Sequence, residues 1–249
     1  MKLKNKVVII TGSASGIGKA TALRFAKDCA KIVVNCKSNI DGAKAVINQI
    51  EKLGSEVIGV TADVSNPKDV EKLFQKTLIR FKTVDILINN AGSTHGKEFL
   101  DTTKEDWLEA FDNNFFGTVL CSQAAVKIMS ENGGGKILNT ASIRGLTNTG
   151  REGIMPYSAA KAAVVNFTKT LAKQVAPKIL VNAVAPGFVY TPYYETLSKE
   201  LKDQFINNTL IKRFITVEEI ADAFHYLATT DAITGSVLVV DGGFTLKRG

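Results

Sequence analysis

Lys6-Val7-Val8-Ile9-Ile10-Thr11-Gly12-Ser13-Ala14-Ser15-Gly16-Ile17-Gly18 is the stretch whose reading decides the fold. Lys6 to Thr11 is a short β-branched run and reads as a strand. Gly16 to Cys29 reads as a helix. Between them Gly12, Gly16 and Gly18 allow a tight turn. They also let backbone approach a pyrophosphate at a positive helix N-terminus. The spacing is G-x-x-x-G-x-G rather than G-x-G-x-x-G. The nucleoside-triphosphate loop is excluded, because Lys19 is followed by Ala20 and no glycine stands at position 13.

Outward from that turn the chain keeps alternating. Ile32 to Cys36, Glu56 to Thr61, Val84 to Ile88, Lys136 to Thr140, Ile179 to Val184 and Ser236 to Val240 read as further strands. Ala43, Val46, Ile47, Ile50 and Leu53 follow a helical period that Gly54 ends. Val70 to Phe81, Lys104 to Met129, Tyr157 to Val175 and Val217 to Leu227 read as helices. Pro186 to Ile215 is irregular and aromatic-rich, with Leu197, Leu201 and Phe205 hinting at a short amphipathic helix. Strand–helix alternation predicts an α/β fold. The expected form is Rossmann-like, doubly wound and mainly parallel, with seven strands and helices on both faces. No linker or repeat interrupts the chain, so residues 1–249 read as a single domain. Residues 187–215 form a substrate-covering segment within it. Ligands in such sheets bind beyond the carboxyl ends of the strands.

Tyr157-Ser-Ala-Ala-Lys161 carries the chemistry. Spacing of i, i+4 puts a phenol and an ammonium on one helix face. A nearby cation favours phenolate, so Lys161 is expected to pull the Tyr157 pKa down from about 10. That suits proton transfer between an alcohol and a carbonyl.

The bulk numbers bound the rest. Net charge is +7, from 31 basic and 24 acidic residues. The lysines are scattered, which argues for a basic soluble surface and against nucleic-acid binding. Cys29, Cys36 and Cys121 form no CxxC pair, and His95 and His225 lack partner spacing, so no metal site is predicted. Cysteine usage suits a reducing cytosol. No apolar run is long enough to span a membrane. Trp107 reads as a helix-packing residue.

Thr11 to Gly18, Asp63-Val64, Asn89-Asn90-Ala91-Gly92, Asn114, Ser142, Tyr157-x-x-x-Lys161, Pro186-Gly187 and Asp241-Gly242-Gly243 occur in one order. In that order the chain resembles the short-chain dehydrogenase/reductase family over nearly its whole length. The resemblance implies a catalytic set of Asn114, Ser142, Tyr157 and Lys161. Tyr157 serves as acid or base, Lys161 lowers its pKa and holds the nicotinamide ribose, and Ser142 holds the substrate oxygen. Asn114, chosen over Asn113 because Gly117 follows in the family's N-x-x-G pattern, anchors a water. Cofactor contacts are implied at Gly12, Ser15, Gly16, Ile17, Gly18, Asp63, Val64, Asn90, Ala91, Gly92, Tyr157, Lys161, Pro186, Gly187, Val189 and Thr191. Asn89 reads as structural. A cytoplasmic homotetramer is also implied.

The cofactor type turns on the end of the second strand, where NAD sites place an acid. This chain reads Asn35-Cys36-Lys37-Ser38, with no carboxylate nearer than Asp41. Lys37 and Ser38 suit a 2′-phosphate, so NADP(H) is favoured and NAD(H) stays open.

Within the family the chain resembles the 3-oxoacyl-[acyl-carrier-protein] reductase and glucose dehydrogenase branches. These point to a small carbonyl or alcohol substrate, carrier- or CoA-linked in the first case and an aldose in the second. Of two basic docking positions for an acidic carrier, Lys178 supplies one and the other aligns with Gly133. The Ser142-to-Tyr157 segment is about two residues longer than in those reductases. Its Arg144 and Arg151 read as solvated loop arginines, with an anionic substrate as the alternative. A non-catalytic cofactor-sensing regulator is the reading from another class, and the intact Ser142, Tyr157 and Lys161 argue against it.

Overall fold

The computed structural model describes residues 1–246, in which seven strands form one parallel sheet. The strands are β1 (Val7–Ile10), β2 (Lys31–Cys36), β3 (Val57–Thr61), β4 (Ile86–Asn89), β5 (Gly135–Thr140), β6 (Ile179–Pro186) and β7 (Val237–Val240). Their order is β3-β2-β1-β4-β5-β6-β7. All six pairings are parallel, where the sequence predicted a mainly parallel sheet. The order reverses at β1, which pairs with both β2 and β4. A crevice therefore opens beyond the carboxyl ends of β1 and β4.

The helices are α1 (Gly16–Ala26), α2 (Ile40–Lys52), α3 (Pro67–Phe81), α4 (Lys104–Phe111), α5 (Gly117–Glu131), α6 (Met155–Val175), α7 (Pro192–Glu195), α8 (Lys199–Asn207) and α9 (Val217–Thr229). Successive strand side chains point to opposite faces. Val8 and Ile10 join Phe25, Val46 and Phe224 on the side of α1, α2 and α9. Val7 and Ile9 join Leu73, Phe74 and Met129 on the side of α3, α5 and α6. Both faces are covered, which is why the strands are almost wholly apolar.

Local chemistry sets the helix ends. The Asn66 side chain accepts from the Lys68 N–H at 2.9 Å, and Pro67 opens α3. Thr216 and Glu219 close a capping box at α9. Gly54, at φ +80°, ends the α2 pattern as its sequence position predicts.

Two helices differ most from the sequence reading. α1 stops at Ala26 rather than Cys29, which sits at φ +58° outside the helix. The single helix expected over 104–129 is broken by a π-helical turn, Asp112–Phe116, between α4 and α5. After β6 the chain forms α7, and α8 is the short helix that the spacing of Leu197, Leu201 and Phe205 suggests; the side chains of Pro192 and Tyr193 lie outside the described residues.

Candidate active site

The glycine turn is held from three sides. The Thr11 hydroxyl accepts the Asn90 and Ala91 N–H groups at 2.9 and 3.0 Å. The Asn90 amide donates back to the Thr11 and Gly12 carbonyls. Asn35, buried at the end of β2, accepts the Gly12 N–H at 3.2 Å. It also donates to the Val60 and Ala62 carbonyls of the β3 end. Three strand ends are thus tied to one turn.

The glycines are required by space. Gly12 and Gly16 lie at φ +62° and +53°. A Cβ on Gly18 would stand 2.5 Å from the Gly12 carbonyl oxygen, and one on Gly12 would stand 2.9 Å from the Ala91 Cα. Ser15 caps α1 without a side-chain bond to the helix, and the first turn has no acid. The N–H groups around Ile17 therefore face an anion-ready end. Thr191 comes over the turn: its methyl would be 4.0 Å from a Cβ on Gly16. Val189 is pinned by a bridge to Ile215, and Gly187 packs so close to Asp241 that a Cβ would meet its Cα at 2.7 Å. Pro186 ends β6 beside Val240.

Beyond β2, Lys37 is ion-paired with Asp63 at 2.7 Å. Burial pushes the Asp63 carboxyl up, but hydrogen bonds from Lys37 and Ser65 outweigh it and hold the group below its usual value. The two residues expected at opposite parts of an adenosine site therefore form one unit, with exposed Ser38 next to it. Val64 lies under α5, where a Cβ on Gly117 would meet its Cγ2 at 2.9 Å. That contact explains the glycine three residues after Asn114.

The remaining residues converge past β4 and β5. Asn114 sits in the π-helical turn and is 1% exposed. Its amide donates to the Ser93 carbonyl at 2.7 Å and the Ala110 carbonyl at 3.0 Å. A mid-helix amide that bonds backbone competes with the helical ladder, which accounts for the local bulge. Its Oδ1 is buried and has no protein partner. Lys161 is buried in α6 and donates to the Thr140 carbonyl at 2.9 Å. A Cβ on Gly92 would be 2.6 Å from Asn114 Oδ1 and 3.5 Å from Lys161 Nζ, so the glycine leaves these two polar atoms facing a shared gap.

Tyr157 lies one turn before Lys161, whose ammonium is 5.7 Å from the centre of the tyrosine ring. Ser142, buried two residues beyond β5, stands beside the Tyr157 phenol and acts to lower its pKa, and it accepts the Arg144 N–H at 3.1 Å. The expected lowering of the phenol by Lys161 is not what the structure shows. Burial pushes Tyr157 above its ordinary value, with the Ser142 hydrogen bond and the Arg144 charge opposing. Burial also brings Lys161 down to about 8. A cavity of about 240 Å³ opens beside Tyr157, lined by Ser93, His95, Lys97, Glu109 and Asn113.

Two residues escaped the sequence reading. Asn35 stood in plain view, but only strand register shows what it binds. Arg144, read as solvated, is half-buried and lies over the rings of Phe188 and Phe244; Arg151 is exposed as expected, with its guanidinium 5.8 Å from the Phe205 ring centre.

This geometry fits a dinucleotide. The glycine turn at the N-terminus of α1 can take an anion such as pyrophosphate, and the buried Asn114 Oδ1 and Lys161 Nζ offer polar groups beside it. Comparison with known proteins agrees. The family model described as enoyl-(acyl carrier protein) reductase matches residues 12–245. A 3-oxoacyl-[acyl-carrier-protein] reductase from Synechocystis is 42% identical over 98% of both chains. A short-chain type dehydrogenase/reductase from Mycobacterium marinum superposes with a TM-score of 0.93 at 32% identity, over 99% of this chain and 98% of that one. A 7α-hydroxysteroid dehydrogenase solved with NADH and 7-oxo glycochenodeoxycholic acid gives 0.92 at 31% identity, over 97% of this chain and 95% of that one. The chain belongs to the short-chain dehydrogenase/reductase family and is a nicotinamide-dependent oxidoreductase acting on CH–OH groups.

Proposed function

We propose that this chain reduces 3-oxoacyl thioesters, carrier- or CoA-linked, with NADP(H). The observation that carries the reading is the convergence of Ser142, Tyr157, Lys161 and the partnerless Asn114 Oδ1 beyond β4 and β5. The bound nicotinamide supplies the hydride. Tyr157 gives its phenolic proton to the substrate oxygen, and Ser142 holds that oxygen beside it. Lys161 binds the ribose and, as a cation, offsets charge developing on the phenol. A water bound to the partnerless Asn114 Oδ1 and to Lys161 would give a route for the replacement proton. Gly12, Ser15, Gly16, Ile17, Gly18 and Thr191 hold the pyrophosphate. Asp63, Val64, Asn90, Ala91, Pro186, Gly187 and Val189 line the rest of the cofactor crevice. Residues 187–215 act as a lid over the substrate. A cytoplasmic homotetramer fits the exposed apolar Leu108 and Phe116 on the α4–α5 stretch.

NADPH oxidation with acetoacetyl-CoA and 3-oxoacyl carrier-protein thioesters tests the substrate class. Turnover with aldoses and none with thioesters overturns it.

The NADP preference rests on Lys37 and Ser38. In the structure Asp63 already holds Lys37, so a 2′-phosphate would have to share it. Lys37→Asp replaces that cation by an acid beside Asp63 and is expected to reverse the preference, with NADPH losing about tenfold or more in kcat/KM relative to NADH. Lys37→Ala separates loss of the cation from repulsion by the new acid. Unchanged kinetics with both cofactors removes Lys37 from the site.

A further inference from the structure

Arginines elsewhere among the described residues are matched to carboxylates. Arg24 pairs with Asp28 and Asp222, Arg80 with Glu56, and Arg213 with Glu219. Arg144 and Arg151 have no carboxylate partner among the described residues. Both lie against one aromatic cluster, formed by Phe188 and Phe205 of the lid together with Phe244. The Arg144 guanidinium lies 5.4 Å from the Phe188 ring centre and 5.0 Å from that of Phe244. The Arg151 guanidinium lies 5.8 Å from the Phe205 ring centre. Phe188 packs on Phe205 at 4.7 Å and on Phe244 at 5.1 Å, so these rings are continuous.

The position is close to the chemistry. Arg144 is two residues beyond Ser142, and its own N–H donates to the Ser142 hydroxyl at 3.1 Å. Its charge acts on the Tyr157 phenol and the Tyr157 phenol acts on it. The guanidinium is steadied by one bond, from Nη1 to the Thr149 carbonyl at 3.1 Å. The flanking rings attract the guanidinium and cover part of it, but they cannot neutralise it. A half-buried cation beside a second cation, with no counter-ion, is an expensive arrangement in an unliganded protein. Burial and the Arg151 charge accordingly hold Arg144 below its usual value. A planar anion received by the fork of N–H donors removes both penalties.

We propose that Arg144, assisted by Arg151, forms a subsite for a carboxylate on the substrate, so that the preferred carbonyl compound is an oxo acid rather than an uncharged one. The proposal rests on the carbonyl-reductase reading but departs from its thioester form, because a simple 3-oxoacyl thioester carries no free carboxylate on its acyl part. A carboxylate fits better than a coenzyme phosphate. Arg144 adjoins the residue that holds the reacting oxygen, whereas the phosphates of a thioester coenzyme lie at the far end of its pantetheine arm.

The test pairs each oxo acid with its methyl ester: acetoacetate with methyl acetoacetate, and levulinate with methyl levulinate. Initial rates are measured with NADPH for the wild type, Arg144→Met, Arg144→Lys and Arg151→Met. Calorimetry of levulinate on the cofactor-loaded protein supplies a readout independent of turnover. The wild type is expected to favour at least one acid over its ester by about tenfold or more in kcat/KM. Arg144→Met is expected to erase that preference, mainly through KM, and to abolish levulinate binding. Arg144→Lys is expected to keep part of both, because it keeps the charge but not the fork. Arg151→Met is expected to shift the preference in the same direction by less. Should Arg144→Met fail to fold, judged by thermal melting, Arg144→Lys and Arg151→Met decide the matter.

Equal rates for acid and ester in the wild type, with no levulinate binding, overturn the subsite and leave the reductase reading intact. Levulinate binding that depends on Arg144, with no carbonyl compound or thioester turned over, supports the subsite and overturns the reductase reading. Acetoacetyl-CoA and acetoacetyl-N-acetylcysteamine separate the two sources of anion. A loss in Arg144→Met confined to acetoacetyl-CoA assigns the arginines to coenzyme phosphate and overturns the carboxylate.

Discussion

Tyr157→Phe is expected to lower the rate of carbonyl reduction about 10³-fold, near the upper part of the range for a positioned acid. The substitution removes one oxygen and leaves the ring that packs beside Lys161. Ser142 stays in place through its bond with the Arg144 N–H. Cofactor binding should therefore persist, which titration of NADPH fluorescence would show. Loss of turnover with cofactor affinity kept within about threefold isolates the proton donor from the scaffold. Residual activity above about a tenth of wild type would move the acid elsewhere, and the Ser142 hydroxyl would be the next group to remove. The pH dependence carries a sign of its own. Burial pushes the Tyr157 phenol above its ordinary value in the free protein, with Ser142 and Arg144 opposing. The phenol is thus protonated at neutral pH, the form reduction needs. Oxidation needs the phenolate. Measured as kcat/KM, which reports the free enzyme, alcohol oxidation should climb steadily with pH while reduction should not.

What the sequence made legible follows from which residues had no physical substitute. Gly12, Gly16 and Gly18 could be read because positive φ and a 2.5 Å approach admit glycine alone. The strands could be read because a sheet covered on both faces must be apolar throughout. Tyr157 and Lys161 could be paired because helical spacing is arithmetic. The family resemblance then supplied Ser142 and Asn114, which spacing cannot reach. Other features depend on contacts between distant segments. Asn35 is one polar residue in a strand until β3 places the Val60 and Ala62 carbonyls against it. The π-helical turn arises from a single amide reaching Ser93, twenty-one residues earlier. Arg144 reads as a loop cation until Phe244, a hundred residues later, closes over it. The pKa expectation failed for the same reason: i, i+4 spacing gives the distance between two groups, not how deeply each is buried.

Burial of Lys161 leads to a second large effect, in which activity and stability move in opposite directions. Its ammonium is brought down to about 8 by burial, from an ordinary value near 10.5. Keeping the charge in the folded protein at neutral pH therefore costs about 3 kcal/mol. The unfolded chain holds that proton up to about 10.5, and the folded chain releases it near 8. Between those values the unfolded state binds more protons, so this lysine makes stability rise with pH across that window. Below about 8 the penalty is fully present. Lys161→Met is close to isosteric and removes the charge, but it leaves the Thr140 carbonyl without its donor. An unsatisfied buried carbonyl costs about 1–3 kcal/mol. The net result at pH 7 is a gain of about 1 kcal/mol, or about 2–4 °C in Tm for a chain of this size. That gain should disappear by about pH 9 and turn into a loss of about 1 kcal/mol at pH 10, where the folded lysine is neutral while the unfolded one is still mostly charged. Turnover should fall about 10²-fold or more, because the phenol loses the cation that offsets its developing charge. Thermal melting of both proteins from pH 7 to pH 10, beside their rates of carbonyl reduction, checks the two halves separately. Parallel stability curves across that range would mean that Lys161 binds its proton equally in the folded and unfolded chain, with no penalty from burial. Its contribution to stability would then be the hydrogen bond to Thr140 alone.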